Sequence, residues 1–168
     1  LTWYLKRQKL IRGRGVMLPQ LVPLYVNTTS TFFPDPDPET ATVDGVVART
    51  GADEVFTTIT AGAGTDALPS SASQAIGFRS SATTDQFSNM HRGFTLFDTS
   101  SIPDGDTIDS ATCSLWITGI NTDAFGDLIG MVTTTPASNT DLVTGDYCNV
   151  GTVLQATSRD ITTLDDSG

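Results

Sequence analysis

Five groups of residues have types and spacings that chemistry could use. Leu96-Phe97-Asp98-Thr99-Ser100-Ser101 sets an aspartate before hydroxyl residues, the pattern in which two aspartates share a proton and activate water. That chemistry needs the loop twice and the chain carries it once, so only a homodimer could complete it. A turn-capping role for Asp98 is the stronger expectation. His91 is the single histidine and lies beside Arg92. No serine or cysteine in an elbow setting accompanies it, so no triad is suggested, and a surface or rim position is expected. Cys113 and Cys148, 35 positions apart, fall short of a zinc site with one histidine. Two buried thiols and one cross-strand disulfide are near-equal prospects, the disulfide gaining if the protein is extracellular. Asp35-x-Asp37-x-Glu39 offers three hard oxygen ligands on alternate residues, and Asp104, Asp106 and Asp109 offer another set. Calcium takes such oxygens, but neither spacing is that of an EF-hand, and solvated turn carboxylates are favoured. Trp116 is a candidate glycan platform or a ring packed under a loop, the second being favoured. None of this amounts to catalytic machinery, and a non-enzymatic chain without a cofactor is expected.

The elements that must carry these residues follow from composition. The chain has 168 residues, enough for one domain with a real core plus an appendage. Thr occurs 28 times and Ser 14 times, while Glu and Lys occur twice each. The best surface helix formers are therefore nearly absent. Asp, Gly and Pro number 17, 15 and 8, which supplies many turns. Short strands joined by polar turns are the predicted outcome.

Charge is split along the chain. Lys6, Arg7, Lys9, Arg12 and Arg14 fall in the first fourteen positions, where there is no acid. Residues 15–168 hold all 19 acids against four arginines, a balance of −15. Such a body repels nucleic acid and anionic membranes, so only the tail could attract them. No run of 18 apolar residues occurs, and no membrane span is expected. The basic start followed by Gly15–Val26 imitates a secretion signal. Two prolines and a glutamine break that apolar stretch, and no small-x-small cleavage site follows.

Residues 1–30 read as a basic and apolar assembly arm. Leu1, Tyr4, Leu5 and Ile11 could share one face of a short helix ended by Gly13-Arg14-Gly15. Leu18-Pro19 and Val22-Pro23 then favour extended backbone. Trp3, Tyr4, Met17 and Leu18 have no core of their own, and with the five cations they form the expected docking surface for another subunit.

Residues 31–168 read as one domain opening at Thr31-Phe32-Phe33-Pro34. Strand candidates are 45–49, 54–60, 74–80, 87–97, 110–120 and 128–134, with 152–156 and 161–164 weaker. Within 110–117, Ala111, Cys113, Leu115 and Ile117 alternate against Ser110, Thr112, Ser114 and Trp116. Ser138–Val143 is the one candidate helical turn, capped by Ser138 or Asn139. The predicted class is all-β, a jelly roll or β-sandwich with an extended N-terminal arm.

Gly93-Phe94-Thr95-Leu96-Phe97-Asp98-Thr99-Ser100-Ser101-Ile102-Pro103-Asp104-Gly105-Asp106-Thr107-Ile108-Asp109-Ser110-Ala111-Thr112 resembles the signature of the disaggregatase-related (DNRLRE) jelly-roll domains, which are grouped with carbohydrate-binding modules. The opening Phe33-Pro34-Asp35-Pro36-Asp37-Pro38-Glu39 and the later Thr135-Pro136-Ala137-Ser138-Asn139-Thr140 look like a subset found in environmental phage and bacterial proteins. The resemblance covers residues 31–168 and implies a fold more than a ligand. In it, Asp98 caps the Thr99-Ser100-Ser101 turn, Ile102 plugs the sandwich end, and Pro103–Asp106 turns the chain. Cys113 stands where that family usually has leucine, and further strands are expected after Gly168, from a longer chain or from another subunit. The functional expectation is a structural protein of a virion surface, of the head-decoration or fibre-base kind. Its arm would dock to the particle while its acidic jelly roll faces outward, in a homo-oligomer or multi-copy assembly. The alternative is a secreted carbohydrate-binding or adhesion module. Virion surface or extracellular space is the expected location.

Overall fold

The computed structural model describes residues 2–10, 25–35, 38–71, 74–120 and 128–160. Strands dominate: β1 Thr2–Leu10, β2 Tyr25–Phe32, β3 Asp44–Val55, β4 Asp66–Leu68, β5 Gly77–Ser80, β6 Gln86–Thr95, β7 Thr107–Ser114, β8 Leu128–Ile129, β9 Val132–Thr134, β10 Val150–Leu154 and β11 Arg159–Asp160. The helical pieces among the described residues are α1, Phe56–Ile59, and a 3-10 turn, Thr144–Cys148. The protein is all-β, of the sandwich class that its threonine-rich, lysine-poor composition predicts.

Two compact units divide the chain, Leu1–Phe33 with Phe97–Leu115, and Pro34–Leu96 with Trp116–Gly168. The first is a three-stranded antiparallel sheet in the order β2-β1-β7. Tyr4 sits opposite Thr31 on one side and Thr112 on the other, with a register shift between Lys6 and Arg7. Residues 2–10 are thus extended, and the helix expected for them does not form. As the central strand, β1 places its backbone groups between two partners, which satisfies more hydrogen bonds than a short isolated helix would.

The second unit is built on a four-stranded antiparallel sheet, β4-β3-β6-β5, with two ribbons, β9-β10 and β8-β11. Its core is Val43, Val47, Phe94, Leu142 and Tyr147, with Ala67, Met90, Leu96 and Val150 packed against them. Gly45, Val46, Val47 and Ala48 are buried in succession, as befits a central strand covered on both faces. A Cβ at Gly45 would collide with the Leu68 carbonyl oxygen, so β4 can lie this close only over a glycine.

Several predicted strands are corrected. Glu54–Thr60 is not one strand: β3 ends at Val55, and α1 follows for a single turn that buries Ile59 to 1% exposure. Strand propensity at Val55, Thr57 and Thr58 loses to the burial of that one isoleucine. Ser110–Ile120 ends at Ser114, and Ala111 and Leu115 are exposed, while Cys113 and Ile117 are half-buried. Leu128–Thr134 splits into β8 and β9, which pair with different partners. The candidate helical turn at Ser138–Val143 instead falls at Thr144–Cys148. Ser138 is used as a turn former, its Oγ accepting the Thr140 N–H at 3.1 Å. The candidate strand at 161–164 lies outside the described residues.

Candidate functional site

The polar side chains at the heart of the second unit hold backbone in place. Tyr147 is fully buried and its hydroxyl donates to the Ile59 carbonyl at 2.6 Å. The Arg92 guanidinium lies 4.1 Å from the centre of the Tyr147 ring. It donates to the Tyr147 carbonyl, and to the Thr60 carbonyl at 3.0 Å. Burial pushes the Tyr147 phenol up, against the pull of Arg92 and Arg49. Arg49 grips Glu54 in a bidentate pair with both contacts at 2.6 Å, and also donates to the Ala63 carbonyl at 2.8 Å. Asp146, fully buried, accepts from Ala137 N–H at 2.8 Å, Val143 N–H at 2.9 Å and the Asn149 amide at 2.9 Å. Burial alone would raise its carboxyl; those donors outweigh it and hold the group below the usual carboxylate range. Each charge at this centre is committed to structure.

Within each unit, the described residues singled out from sequence form no common site. Asp98 caps its turn as expected, accepting the Ser100 N–H at 2.8 Å, and Ile102 N–H closes onto the Thr99 carbonyl at 2.9 Å. Pro103–Asp106 turns the chain through an Asp106 N–H to Pro103 carbonyl bond of 2.9 Å. Asp35 accepts from the Thr40 hydroxyl at 2.7 Å, the Thr40 N–H at 2.6 Å and the Ala41 N–H at 2.7 Å. Led by the Thr40 hydroxyl, these bonds lower its carboxyl to about 2. Asp35 therefore closes a loop, Glu39 is half-buried, and Asp37 lies outside the described residues. No three His, Cys, Asp or Glu side chains converge on a metal position among the described residues.

His91 is half-buried on β6 opposite Ala48 and Gly77. Cys113 and Cys148 are free thiols, Cys113 half-buried with its thiol pushed up by burial, Cys148 exposed. The Cys148 thiol donates to the Gly62 carbonyl. A surface hollow of about 270 Å³ runs past Cys148 between Thr133–Thr135 and Asn149–Gly151. None of its lining side chains is a histidine or carboxylate that could serve the thiol as a base. Trp116 is 71% exposed, so its ring is a surface feature and is not packed under a loop. Trp3, Tyr4, Lys6, Arg7 and Lys9 lie on β1, while Arg12, Arg14, Met17 and Leu18 fall outside the described residues.

Sequence reasoning missed the most distinctive surface of the second unit. Phe87 meets Phe56 edge-on at 5.7 Å between ring centres and Phe78 edge-on at 5.4 Å. Phe56 and Phe78 remain 54% and 51% exposed, with Val55 and Ile76 similarly open. Register irregularities at Arg79/Ser80 and Thr50/Glu54 flank the cluster, and such bulges re-aim side chains. The signal in the sequence is a hairpin: pairing 74–80 with 87–97 across residues 81–86 makes Phe78 and Phe87 diagonal neighbours. Two exposed rings, Phe56 and Phe78, flank the half-buried Phe87 in an apolar patch with no reacting group among them. Comparison with known proteins adds no relative to this geometry: no family model, no curated protein and no solved structure matches the chain.

Proposed function

We propose that this chain is a non-catalytic structural protein that works by assembly, on the surface of a virion or similar particle. The observation that carries the reading is the open Phe56–Phe87–Phe78 cluster. Large apolar side chains left in water cost free energy that a neighbouring subunit recovers, at roughly 1.5–3 kcal/mol for each one fully covered. The commitment of Arg92, Asp146 and Asp98 to backbone, and of Glu54 to the Arg49 side chain, supports the non-enzymatic half of the reading. The charge split supports an oriented docking, with the basic N-terminal stretch toward an acidic surface and the acidic body outward. The virion setting rests on the resemblance to phage-associated jelly-roll sequences. The test is incorporation into particles purified from the native source. The chain should be present in fixed symmetric copy number. Reversing Lys6, Arg7 and Lys9 to glutamate should reduce its incorporation and weaken the salt dependence of docking. Absence from every particle fraction would overturn the proposal.

The second reading, a secreted carbohydrate-binding or adhesion module, is favoured by the exposed Trp116 indole. Binding of the chain to a glycan array, lost on Trp116→Ala, would select it.

A further inference from the structure

We infer that residues 137–149 form a strap over the core of the second unit that acid releases. The ionised Asp146 carboxylate holds the strap shut, and uptake of a proton there frees it while the four-stranded sheet stays folded. The segment carries Leu142 and Tyr147 into the core beside Val43, Val47 and Phe94. One side chain sets its shape. Asp146 is fully buried on the 3-10 turn, and its two oxygens share three donors. Oδ1 accepts from the Ala137 N–H at 2.8 Å and the Asn149 amide at 2.9 Å, while Oδ2 accepts from the Val143 N–H at 2.9 Å. Positions 137 and 149, the two ends of the strap, are thus tied to the same carboxylate. The β3–β4, β3–β6 and β5–β6 ladders contain no residue of the strap, so its release breaks none of their bonds.

A proton undoes this arrangement. It turns one accepting oxygen into an O–H that faces an N–H donor, and the remaining bonds lose their charge assistance. Burial favours the neutral acid, but the three donors favour the ion and prevail, so closure and ionisation support each other. Because the closed strap lowers the carboxyl, its stabilisation is complete above the ordinary value of 3.8. It is lost as pH falls below that value and through the folded one. The charges on the elements packed against the turn, Arg49 and Glu54 of β3 and Arg92 of β6, act on the Tyr147 phenol. The 59–64 loop, which meets the turn through Ile59, Gly62 and Gly64, has no ionisable side chain. Asp141, the other carboxylate of the strap, is exposed and accepts from its neighbour, the Leu142 N–H, at 2.9 Å. Acid therefore acts on the strap at Asp146.

The experiment is hydrogen exchange of the dilute full chain, read by mass spectrometry from neutral pH into acid and corrected for the intrinsic rate. Below pH 3.8, residues 137–143 should lose protection about tenfold, the difference between a charge-assisted and a neutral hydrogen bond, while β3 and β6 keep theirs. Asp146→Asn sets an amide N–H against at least one of the three donors. It should show the loss already at neutral pH, with no further response to acid. Asn149→Ala removes one donor and keeps the carboxylate, so the midpoint of the response should move to higher pH. A purely packing role for the segment would not move that midpoint. Asp35→Ala controls for the loop that Asp35 closes, which titrates in the same acid range, and should leave the strap's response in place. Protection of 137–143 that survives acid while the sheet is folded overturns the inference. So does a loss with the same midpoint as β3 and β6, or a midpoint indifferent to Asn149→Ala. If Asp146→Asn fails to fold, the wild-type series and Asn149→Ala decide.

Discussion

Tyr147 shows how single residues carry this structure. Its hydroxyl reaches from the 3-10 turn to the Ile59 carbonyl within a fully buried site. Tyr147→Phe keeps the ring under Arg92 and strands that carbonyl. A loss of about 1–3 kcal/mol is expected, read from urea denaturation as a lower midpoint with an unchanged slope. Asp35 gives a pH test. Its folded carboxyl lies at about 2 against an ordinary 3.8. A depressed folded value means its contribution is present above the unfolded value and is lost as pH falls from 3.8 through about 2. An NMR titration should place the Asp35 midpoint near 2, and the deficit in melting temperature of Asp35→Ala should shrink across that window. The two cysteines are free thiols. Thiol titration of the unreduced, denatured chain should count both, and in the native state Cys113 should react more slowly than Cys148, because burial holds its thiol protonated.

At the scale of elements, β3 decides whether the four-stranded sheet closes. It is the strand between β4 and β6, and its close approach to β4 depends on the missing side chain at Gly45. Gly45→Ala should push the Leu68 carbonyl away and destabilise the fold by about 1–3 kcal/mol, measurable by thermal or denaturant unfolding. Most strand segments were legible because apolar and β-branched residues cluster between turn residues, as at Gly45–Arg49 and Phe87–Phe97. α1 was not legible. Val55-Phe56-Thr57-Thr58-Ile59 has strand propensity throughout, and only the burial of Ile59 makes a helical turn preferable. The capping at Asp98 was legible because an aspartate two residues before its partner N–H is a local device that needs no tertiary information. The Asp146 cap was missed, since its donors at Ala137 and Val143 come from a loop whose path is set by the core.

For the whole molecule, charge and apolar surface oppose each other. The chain carries −10 at neutral pH and has its isoelectric point near 4.2. As pH falls toward 4.2, the repulsion between copies vanishes while the exposed rings remain. Light scattering should therefore show association rising steeply there, and Phe78→Asp should blunt the rise. By itself the sequence determined the all-β class, the turn at Asp98 and the separation of a basic start from an acidic body. These depend on composition and on contacts only a few residues long. Only the tertiary structure decided that Thr2–Leu10 is the middle strand of a sheet, that Arg92 is spent on Tyr147, and that Phe56, Phe78 and Phe87 share one open surface. Strand partners are chosen by burial summed over residues far apart in the chain, and no local pattern of apolar and polar residues encodes which strands become neighbours.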